Sequence, residues 1–228
     1  MNIAVIPARG GSKRIPRKNV KDFCGKPMIA HSIEVALASG CFDRVIVSTD
    51  DEEIANVAQA YGAEVPFMRP AQLSDDHTGT IPVIKHATEW FMAQGLAPDL
   101  VCCLYATAPF VTAEYLQQGL QQMQQTDAAY AFTVTSYAFP IQRAIKIDDQ
   151  QRMQMFNPDA FNTRSQDLEE AWHDAGQFYW GRAESWLAEM TIFGEASCPI
   201  ILPRHRVQDI DTPEDWDRAE WLFKALKS

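Results

Sequence analysis

Short apolar runs alternate with amphipathic stretches along the first 67 residues. Residues 3–6 and 44–49 are rich in β-branched side chains and predict two strands. Between them, apolar residues recur at helical spacing from Ile29 to Leu37. Pro27 precedes this stretch and Gly40 follows it, and these are the helix ends at which proline and glycine are favoured. The pattern therefore predicts a strand, a loop, a helix and a second strand.

The alternation of strands and helices continues along the rest of the chain. Acidic residues 50–53 predict the start of a second helix, because acids stabilise the positive end of a helix. Further strands are predicted at 64–67, 100–105, 129–135, 177–180 and 199–202, and further helices at 80–94, at 113–125 after Thr112, and from Pro213 with Thr212 and Asp215 as caps. This order is typical of an α/β protein with a parallel sheet and helices on both faces.

Residues 137–176 interrupt the alternation, because they are polar and have no clear period. We interpret them as a hairpin-and-loop excursion from the main domain. The chain has 228 residues, which fits a single domain, since domains hold roughly 100–200 residues. We therefore expect one domain over 1–228 with this excursion inserted.

Charge is unevenly distributed along the chain. The net charge is −10, which argues against nucleic acid as a partner because such binding relies on many cationic phosphate contacts. Six cations nevertheless precede the first acidic residue, Asp22: Arg9, Lys13, Arg14, Arg17, Lys18 and Lys21. The N-terminal segment therefore predicts a local anion site, the alternative being a solvated basic loop.

The five cysteines form no C-x-x-C pair, and their number is odd. This argues against a disulfide framework and a zinc site, and it fits a reducing cytoplasm. No apolar run approaches the length of about 18 residues that spans a membrane. The apolar N-terminus is also too short for the core of a signal peptide, so we expect it to be a strand of the fold.

The basic segment directly follows the first predicted strand, the place where open α/β sheets bind ligands. Small residues at 10–12 would let backbone N–H groups approach an anion, while Arg9, Lys13 and Lys18 could bind a polyphosphate. The segment contains neither G-x-G-x-x-G nor G-x-x-x-x-G-K-[ST]. This argues against hydride transfer and against P-loop hydrolysis of ATP.

Asp209 and Asp211 form a second candidate site near the C-terminus. In an extended segment, residues two apart point to the same side, and two carboxylates with phosphate oxygens suit Mg²⁺. The alternative is structural, with Asp211 in the entry to the last helix and Asp209 solvated.

Residues 7–19, together with Gly25-Lys26-Pro27-Met28-Ile29, resemble the signature of the cytidylyltransferases that make CMP-activated nonulosonic acids. The resemblance extends from Ile3 to Trp216 and implies a Rossmann-like, GT-A-like nucleotidyltransferase fold with a mostly parallel mixed sheet. It also implies Mg²⁺ or Mn²⁺ on Asp209 and Asp211, catalytic roles for these aspartates with Arg9, Lys13 and Lys18, and a homodimer. The implied nucleotide-binding residues are Ala8, Arg9, Gly10, Gly11, Ser12, Lys13, Asn19, Arg69, Ser74 and Thr78. For Arg69, a surface ion pair with Asp75 or Asp76 is the alternative.

Substrate choice is expected from residues 139–179, which are dense in groups that bind carboxylates and hydroxyls. The candidate substrate-binding residues are Thr107, Arg143, Arg164, Gln166, Asp167, His173 and Gln177. For His173, general-base catalysis and a packed, hydrogen-bonded role both stay open. The run Asp174-Ala175-Gly176-Gln177 replaces the Asn-Gly expected of a sialic acid synthetase and resembles the pseudaminic acid branch of the family.

The resemblance implies that the anomeric hydroxyl of a nine-carbon sugar acid attacks the α-phosphorus of CTP, giving a CMP-sugar and pyrophosphate. Pseudaminic acid is the expected substrate, with sialic, legionaminic and KDO acids as alternatives. The alternative of another class is a non-catalytic protein that binds a nucleotide sugar. A glycosyltransferase is disfavoured because the D-x-D motif from Asp209 to Asp211 lies late in the chain.

Overall fold

A six-stranded sheet forms the centre of the computed structural model, which describes residues 1–227. Its strands lie in the order β10-β6-β9-β5-β1-β4. The strands are β1 (Asn2–Pro7), β2 (Asp22–Phe23), β3 (Lys26–Pro27), β4 (Arg44–Ser48), β5 (Leu100–Leu104), β6 (Tyr130–Ser136), β7 (Ile145–Ile147), β8 (Met153–Met155), β9 (Trp172–Arg182) and β10 (Ser197–Ile201). The short pairs β2–β3 and β7–β8 form separate hairpins.

The central sheet is mixed and mostly parallel, as predicted. Strand β1 pairs in parallel with β4 and β5, and β10 pairs in parallel with β6. Only β9 runs antiparallel to its neighbours, β5 and β6. Because β1, β4 and β5 are parallel, their carboxyl ends at Pro7, Ser48 and Leu104 meet at one edge of the sheet.

Helices cover both faces of the sheet. The α-helices are α1 (Met28–Ala38), α2 (Glu52–Ala60), α3 (Thr80–Ala93), α4 (Ala113–Gln125), α5 (Ala183–Leu187) and α6 (Pro213–Lys227), with 3₁₀ turns at Ala71–Leu73, Ile141–Arg143, Pro158–Asn162, Ser165–Asp167 and Arg204–Arg206. Helices α1, α2 and α4 pack on one face of the sheet, and α3 and α5 pack on the other. Cys102 and Cys103 of β5 are fully buried between these layers.

Helix α6 closes the molecule beside the hairpin β2–β3. Trp216 and Phe223 of α6 pack against Phe23 with ring centroids 5.3 Å apart in each case. The predicted cap is present, because the backbone N–H of Thr212 donates to Asp215 at 2.8 Å and that of Asp215 donates to the Thr212 hydroxyl at 3.2 Å.

Three details of the predicted elements are wrong. Residues 64–67 form no strand, because the segment touches β4 and its end only through isolated bridges at Glu64 and Met68. Strand β9 extends well beyond the predicted 177–180, and its first residues fall inside the predicted excursion. The short helix α5 was not predicted at all, since five residues are too few to show a helical period.

The excursion before β9 consists of the hairpin β7–β8 and the 3₁₀ turns around it. Many of its large apolar side chains are exposed, among them Phe139, Ile147 and Met153. None of the helices within residues 1–227 is long and apolar enough to cross a membrane.

Candidate active site

A cleft of about 510 Å³ opens at the edge where β1, β4 and β5 end. It is lined by residues that follow β1, by the segment 69–79 before α3, by the start of α3 and by the turn after β5, and Asp211 completes its wall. The position agrees with the rule that open α/β sheets bind ligands beyond the carboxyl ends of their strands.

The loop after β1 is fixed to the sheet by its own backbone. The N–H of Ala8 donates to the carbonyl of Ser48 at 3.0 Å, and the N–H of Gly10 donates to Asp50 Oδ1 at 3.1 Å. A Cβ at Gly10 would lie 2.6 Å from a carboxylate oxygen of Asp51, so a glycine is required there. The buried side chain of Asn19 donates to the carbonyl of Arg9 at 3.0 Å and holds the two ends of the loop together.

Arg17 braces the loop from outside. It adopts a φ of 56° and donates to both carboxylate oxygens of Asp51, at 2.6 and 2.9 Å, and it also pairs with Glu53. Asp51 is the N-cap of α2 and accepts from the N–H of Ile54. The hydrogen bond from Arg17 is the main reason that the pKa of Asp51 falls to about 2. Arg17 is therefore committed to the fold and does not line the cleft.

Four cations of the loop line the cleft: Arg9, Lys13, Arg14 and Lys18. Arg9 donates to Asp76 at 2.6 Å, and Lys13 pairs with the other oxygen of the same carboxylate. The hydrogen bonds from Lys13 and Arg9 lower the pKa of Asp76. This concentration of cations beside loop N–H groups suits a polyphosphate.

Arg69 lies buried at the base of the loop that spans 69–79. Its Nε donates to the hydroxyl of Ser74 at 3.1 Å, and its Nη2 lies 3.8 Å from Asp50 Oδ1. Burial lowers the pKa of the guanidinium. The alternative of a surface ion pair with Asp75 or Asp76 is therefore wrong, because Arg69 is buried and its nearest acid is Asp50.

Asp211 reaches the cleft from the opposite end of the chain. Arg14 pairs with it at 3.0 Å and Lys18 at 3.4 Å, and Lys18 also donates to the carbonyl of Ile210 at 2.7 Å. Asp209 keeps contact with solvent, yet its pKa is raised by partial burial and then by the charge of Asp211, so the two carboxylates act on each other.

The chemistry of two neighbouring carboxylates suits a divalent cation, and of the two only Asp211 lines the cleft. Within residues 1–227, no group of three or more histidine, cysteine or acidic side chains could hold a metal. Mg²⁺ does not require such a cage, because it binds one or two carboxylates together with phosphate oxygens and water. The two carboxylates repel each other, and a shared cation would relieve this repulsion.

The predicted nucleotide-binding residues gather at the cleft. Arg9, Ser12, Lys13, Asn19, Arg69 and Thr78 line it, Ala8, Gly10 and Gly11 belong to the adjoining loop, and Ser74 contacts Arg69. Sequence reasoning did not assign site roles to Arg14, Asp76, Thr80 or Tyr105, which also line the cleft. The position of Arg14 in the basic run was a usable signal, and so was the position of Tyr105 at the end of a predicted strand.

Of the predicted substrate-binding residues, only Thr107 lines the cleft. Arg143 donates to Ser165 at 3.3 Å and also bonds the carbonyl of Thr163, while Arg164 pairs with Asp167 at 2.7 Å. Gln166 lines a separate cavity of about 310 Å³ on the excursion.

His173 and Gln177 lie on β9 and also make local contacts. His173 Nδ1 lies 2.9 Å from the carbonyl of Asp174, and its ring lies 4.8 Å from that of Tyr137. Gln177 is buried and donates to the carbonyl of Arg206 at 2.6 Å, while its Oε1 has no partner in the described part of the chain. The structure thus does not bring these two residues into the cleft of their own chain.

Comparison with known proteins agrees with this geometry. A family model described as Cytidylyltransferase matches residues 3–193. The chain belongs to the cytidylyltransferase family. A pseudaminic acid cytidylyltransferase of Campylobacter jejuni is 48% identical over 98% of this chain and 97% of its own length. A CMP-N,N'-diacetyllegionaminic acid synthase of Legionella pneumophila is 33% identical over 97% of this chain and 96% of its own length.

Solved structures show the fold of this cytidylyltransferase in other proteins. A CMP:2-keto-3-deoxy-manno-octonic acid synthetase complexed with CTP superimposes with a TM-score of 0.71 at 20% identity, over 100% of this chain and 99% of that protein. A 4-diphosphocytidyl-2C-methyl-D-erythritol synthase gives a TM-score of 0.68 at 17% identity, over 97% of both chains. The predicted nucleotidyltransferase fold is thereby confirmed.

Proposed function

We propose that this cytidylyltransferase transfers CMP from CTP to the anomeric hydroxyl of pseudaminic acid and releases pyrophosphate. The main support is the cleft at the carboxyl end of β1, which four cations of one loop line together with Asp211. The full-length identity of 48% to a pseudaminic acid cytidylyltransferase supports the choice of sugar acid.

The proposed mechanism is based on position and charge. Arg9, Ser12, Lys13 and Lys18 hold the triphosphate, so that the sugar hydroxyl attacks the α-phosphorus in line and pyrophosphate departs on the opposite side. Fixed cations stabilise the charge that develops on the phosphate oxygens, and a preoriented hydroxyl replaces a bimolecular encounter. Asp209 and Asp211 would hold Mg²⁺ or Mn²⁺, which supplies further positive charge to the α-phosphate when bound.

The base of CTP is assigned to the loop 69–79 and the start of α3. Arg69 is buried and oriented by Ser74, and Thr78 is held by Asp75 through a hydrogen bond of 2.6 Å. These contacts give the polar side chains fixed positions at the cleft wall, as base recognition requires.

The sugar acid is assigned to a site that two copies of the chain complete. The candidate substrate residues Arg143, Arg164, Gln166, Asp167, His173 and Gln177 lie on the excursion or β9, outside the cleft of their own chain. The excursion also exposes large apolar side chains such as Phe139 and Met153. A homodimer would cover this surface and bring the excursion of one copy to the cleft of the other.

All five cysteines are free, which supports a location in the cytoplasm.

The test is pyrophosphate release from CTP and Mg²⁺ with pseudaminic, sialic, legionaminic and KDO acids offered in parallel. We expect release with pseudaminic acid. Release with another acid alone would keep the chemistry and overturn the sugar assignment. Silence with all four acids, from folded protein that still binds CTP, would favour a non-catalytic protein that binds a nucleotide sugar.

A further inference from the structure

The guanidinium of Arg14 lies against one of the two carboxylates that are assigned to the metal. Its Nη2 lies 3.0 Å from Oδ2 of Asp211, and Nζ of Lys18 lies 3.4 Å from Oδ1 of the same carboxylate. All three side chains line the cleft. Both oxygens of Asp211 therefore face a cation of the protein itself. The proposed mechanism assigns no role to Arg14.

The two cations differ in how firmly they are held. The side chain of Lys18 is only 19% exposed, and its Nζ donates to the carbonyl of Ile210 at 2.7 Å. The side chain of Arg14 is 65% exposed, and within residues 1–227 it makes no ion pair other than that with Asp211. Exposed ion pairs contribute little to stability, because water screens them and because a long side chain loses entropy when it is held. Arg14 is therefore the partner that a ligand can displace from Asp211.

The backbone of Asp211 is fixed at the start of α6. Its N–H donates to Oδ2 of Asp215 at 3.2 Å, and the same oxygen accepts from the N–H of Thr212 at 2.8 Å. These hydrogen bonds keep Asp211 at the wall of the cleft. A cation that binds Oδ2 of Asp211 must therefore take the place of Arg14 there.

A divalent cation and a guanidinium group compete for this oxygen, because like charges that close repel each other. A triphosphate changes the balance, since its oxygens offer the guanidinium a bidentate partner of higher charge. Arg14 directly follows Lys13, which the proposed mechanism assigns to the triphosphate, and both residues line the cleft. Binding of the nucleotide would thus release Oδ2 of Asp211 for the metal.

We propose that Arg14 occupies the metal-binding oxygen of Asp211 until CTP draws the guanidinium onto its phosphates, so that a divalent cation binds together with the nucleotide and only weakly without it. Arg14 thereby couples two binding events that share the carboxylate of Asp211. This inference rests on the proposed metal site at Asp209 and Asp211.

Two titrations of the full chain test the coupling. Mn²⁺ is added alone and the free ion is followed by electron paramagnetic resonance, and CTP is added by isothermal titration with EDTA present. Because Arg14→Gln removes one exposed ion pair and one like charge from the metal site, we expect it to raise the affinity for Mn²⁺ by roughly three- to tenfold. The same variant should weaken metal-free binding of CTP by roughly threefold, since one charged contact to phosphate is lost. A variant that simply misfolds would lose both affinities.

Lys13→Gln is the matched control. Lys13 belongs to the same loop and is even more exposed than Arg14, but it pairs with Asp76 and not with Asp211. This variant should also weaken CTP binding, yet it should change the affinity for Mn²⁺ by less than about twofold. The control thus separates occupation of Asp211 from a general loss of positive charge in the cleft.

A double variant separates this inference from the proposed function. Asp211→Asn combined with Arg14→Gln should abolish the gain in Mn²⁺ affinity, and a gain that persisted would contradict the proposed metal site itself.

The single variants decide the inference when the metal site holds. Wild-type protein that binds Mn²⁺ as tightly as Arg14→Gln would overturn the inference and leave the metal site in place. Equal gains in Arg14→Gln and Lys13→Gln would indicate a general effect of charge and would also overturn it. Unchanged CTP binding in Arg14→Gln would overturn the transfer of the guanidinium to phosphate.

Discussion

At the residue scale, Asp76 would compete with the triphosphate for the same cations. Arg9 and Lys13 both pair with it, and the proposed mechanism assigns these two residues to phosphate. The carboxylate must therefore leave its partners when CTP binds. The pairing depends on residues 63 and 67 positions apart, so nothing in the local sequence around Asp76 indicates it.

Asp76→Asn is expected to tighten CTP binding severalfold, because the amide competes less with phosphate for the two cations. Isothermal titration of CTP measures the effect, which should shrink at high salt as surface charges are screened. Glu89→Gln removes one exposed negative charge from α3 outside the cleft and should change little. Weaker CTP binding by Asp76→Asn would show that the carboxylate organises the cations for the nucleotide instead of competing with it.

A second prediction at the residue scale concerns Asp211. Asp211→Asn should reduce kcat by about 100-fold or more, the effect usually seen when one fixed electrostatic partner of a transition state is lost. Steady-state pyrophosphate release measures it, and Asp217→Asn on the exposed face of α6 is the control. Near-normal kcat in Asp211→Asn would contradict the assignment of Asp209 and Asp211 to the metal.

At the element scale, the conformation of the loop after β1 depends on the start of α2. Asp51 caps that helix, accepts two hydrogen bonds from Arg17 and lies against Gly10. The sequence predicted a helix start at the acidic residues 50–53, and the structure confirms it. The sequence could not predict that this cap also holds the loop after β1, because Arg17 and Asp51 meet only when β1 and β4 pair in parallel.

Asp51→Ala should lower the free energy of unfolding by about 1–2 kcal/mol, the usual effect of a lost N-cap. The folded-state pKa of about 2 lies below the ordinary value of 3.8, so the contribution of the ionised carboxylate is complete above that value and is lost as the pH falls toward 2. The free energies of unfolding of wild type and variant, measured with urea, should therefore converge as the pH falls through this range. Glu53→Ala, which removes a more exposed partner of Arg17, should have a smaller effect. If the difference between the free energies of unfolding of wild type and Asp51→Ala stayed constant with pH, the ionised pair of Arg17 and Asp51 could not be its origin.

At the scale of the whole molecule, the exposed apolar excursion is the feature that a monomer does not explain. Phe139 is 82% exposed, Met153 74% and Ile147 65%. Large apolar side chains exposed in this number on one segment are typical of an interface. A second copy is the occupant that would also bring the remote sugar-site candidates to a cleft.

Sedimentation velocity should therefore show a dimer for the wild type and a monomer for Met153→Glu. We expect the variant to keep CTP binding within about twofold, because the nucleotide cleft lies in one chain. It should lose most CMP-sugar formation, because the proposed site for the sugar acid needs both copies. Trp221→Glu, at an exposed apolar position on α6, should leave the dimer intact. A monomeric wild type with full activity would contradict the two-copy site.

The sequence by itself determined most of the alternation of strands and helices, the basic loop after β1 and the cap of the last helix. These features depend on residues within a few positions of one another, such as the Thr212–Asp215 pair. The basic run 9–21 likewise stood out before any fold was known, because charge density is visible in the sequence, and four of its cations line the cleft.

Only the tertiary structure decided which groups share the cleft. Strand pairing buries Arg69 beside Asp50, brings Asp211 to Lys18 across 193 positions and places Tyr105 next to Thr80. Hydrophobic periodicity has no means of encoding such contacts, since it reports burial and not the identity of the neighbour. The same limit explains the missing strand at 64–67 and the underestimated length of β9, whose ends are set by their partners.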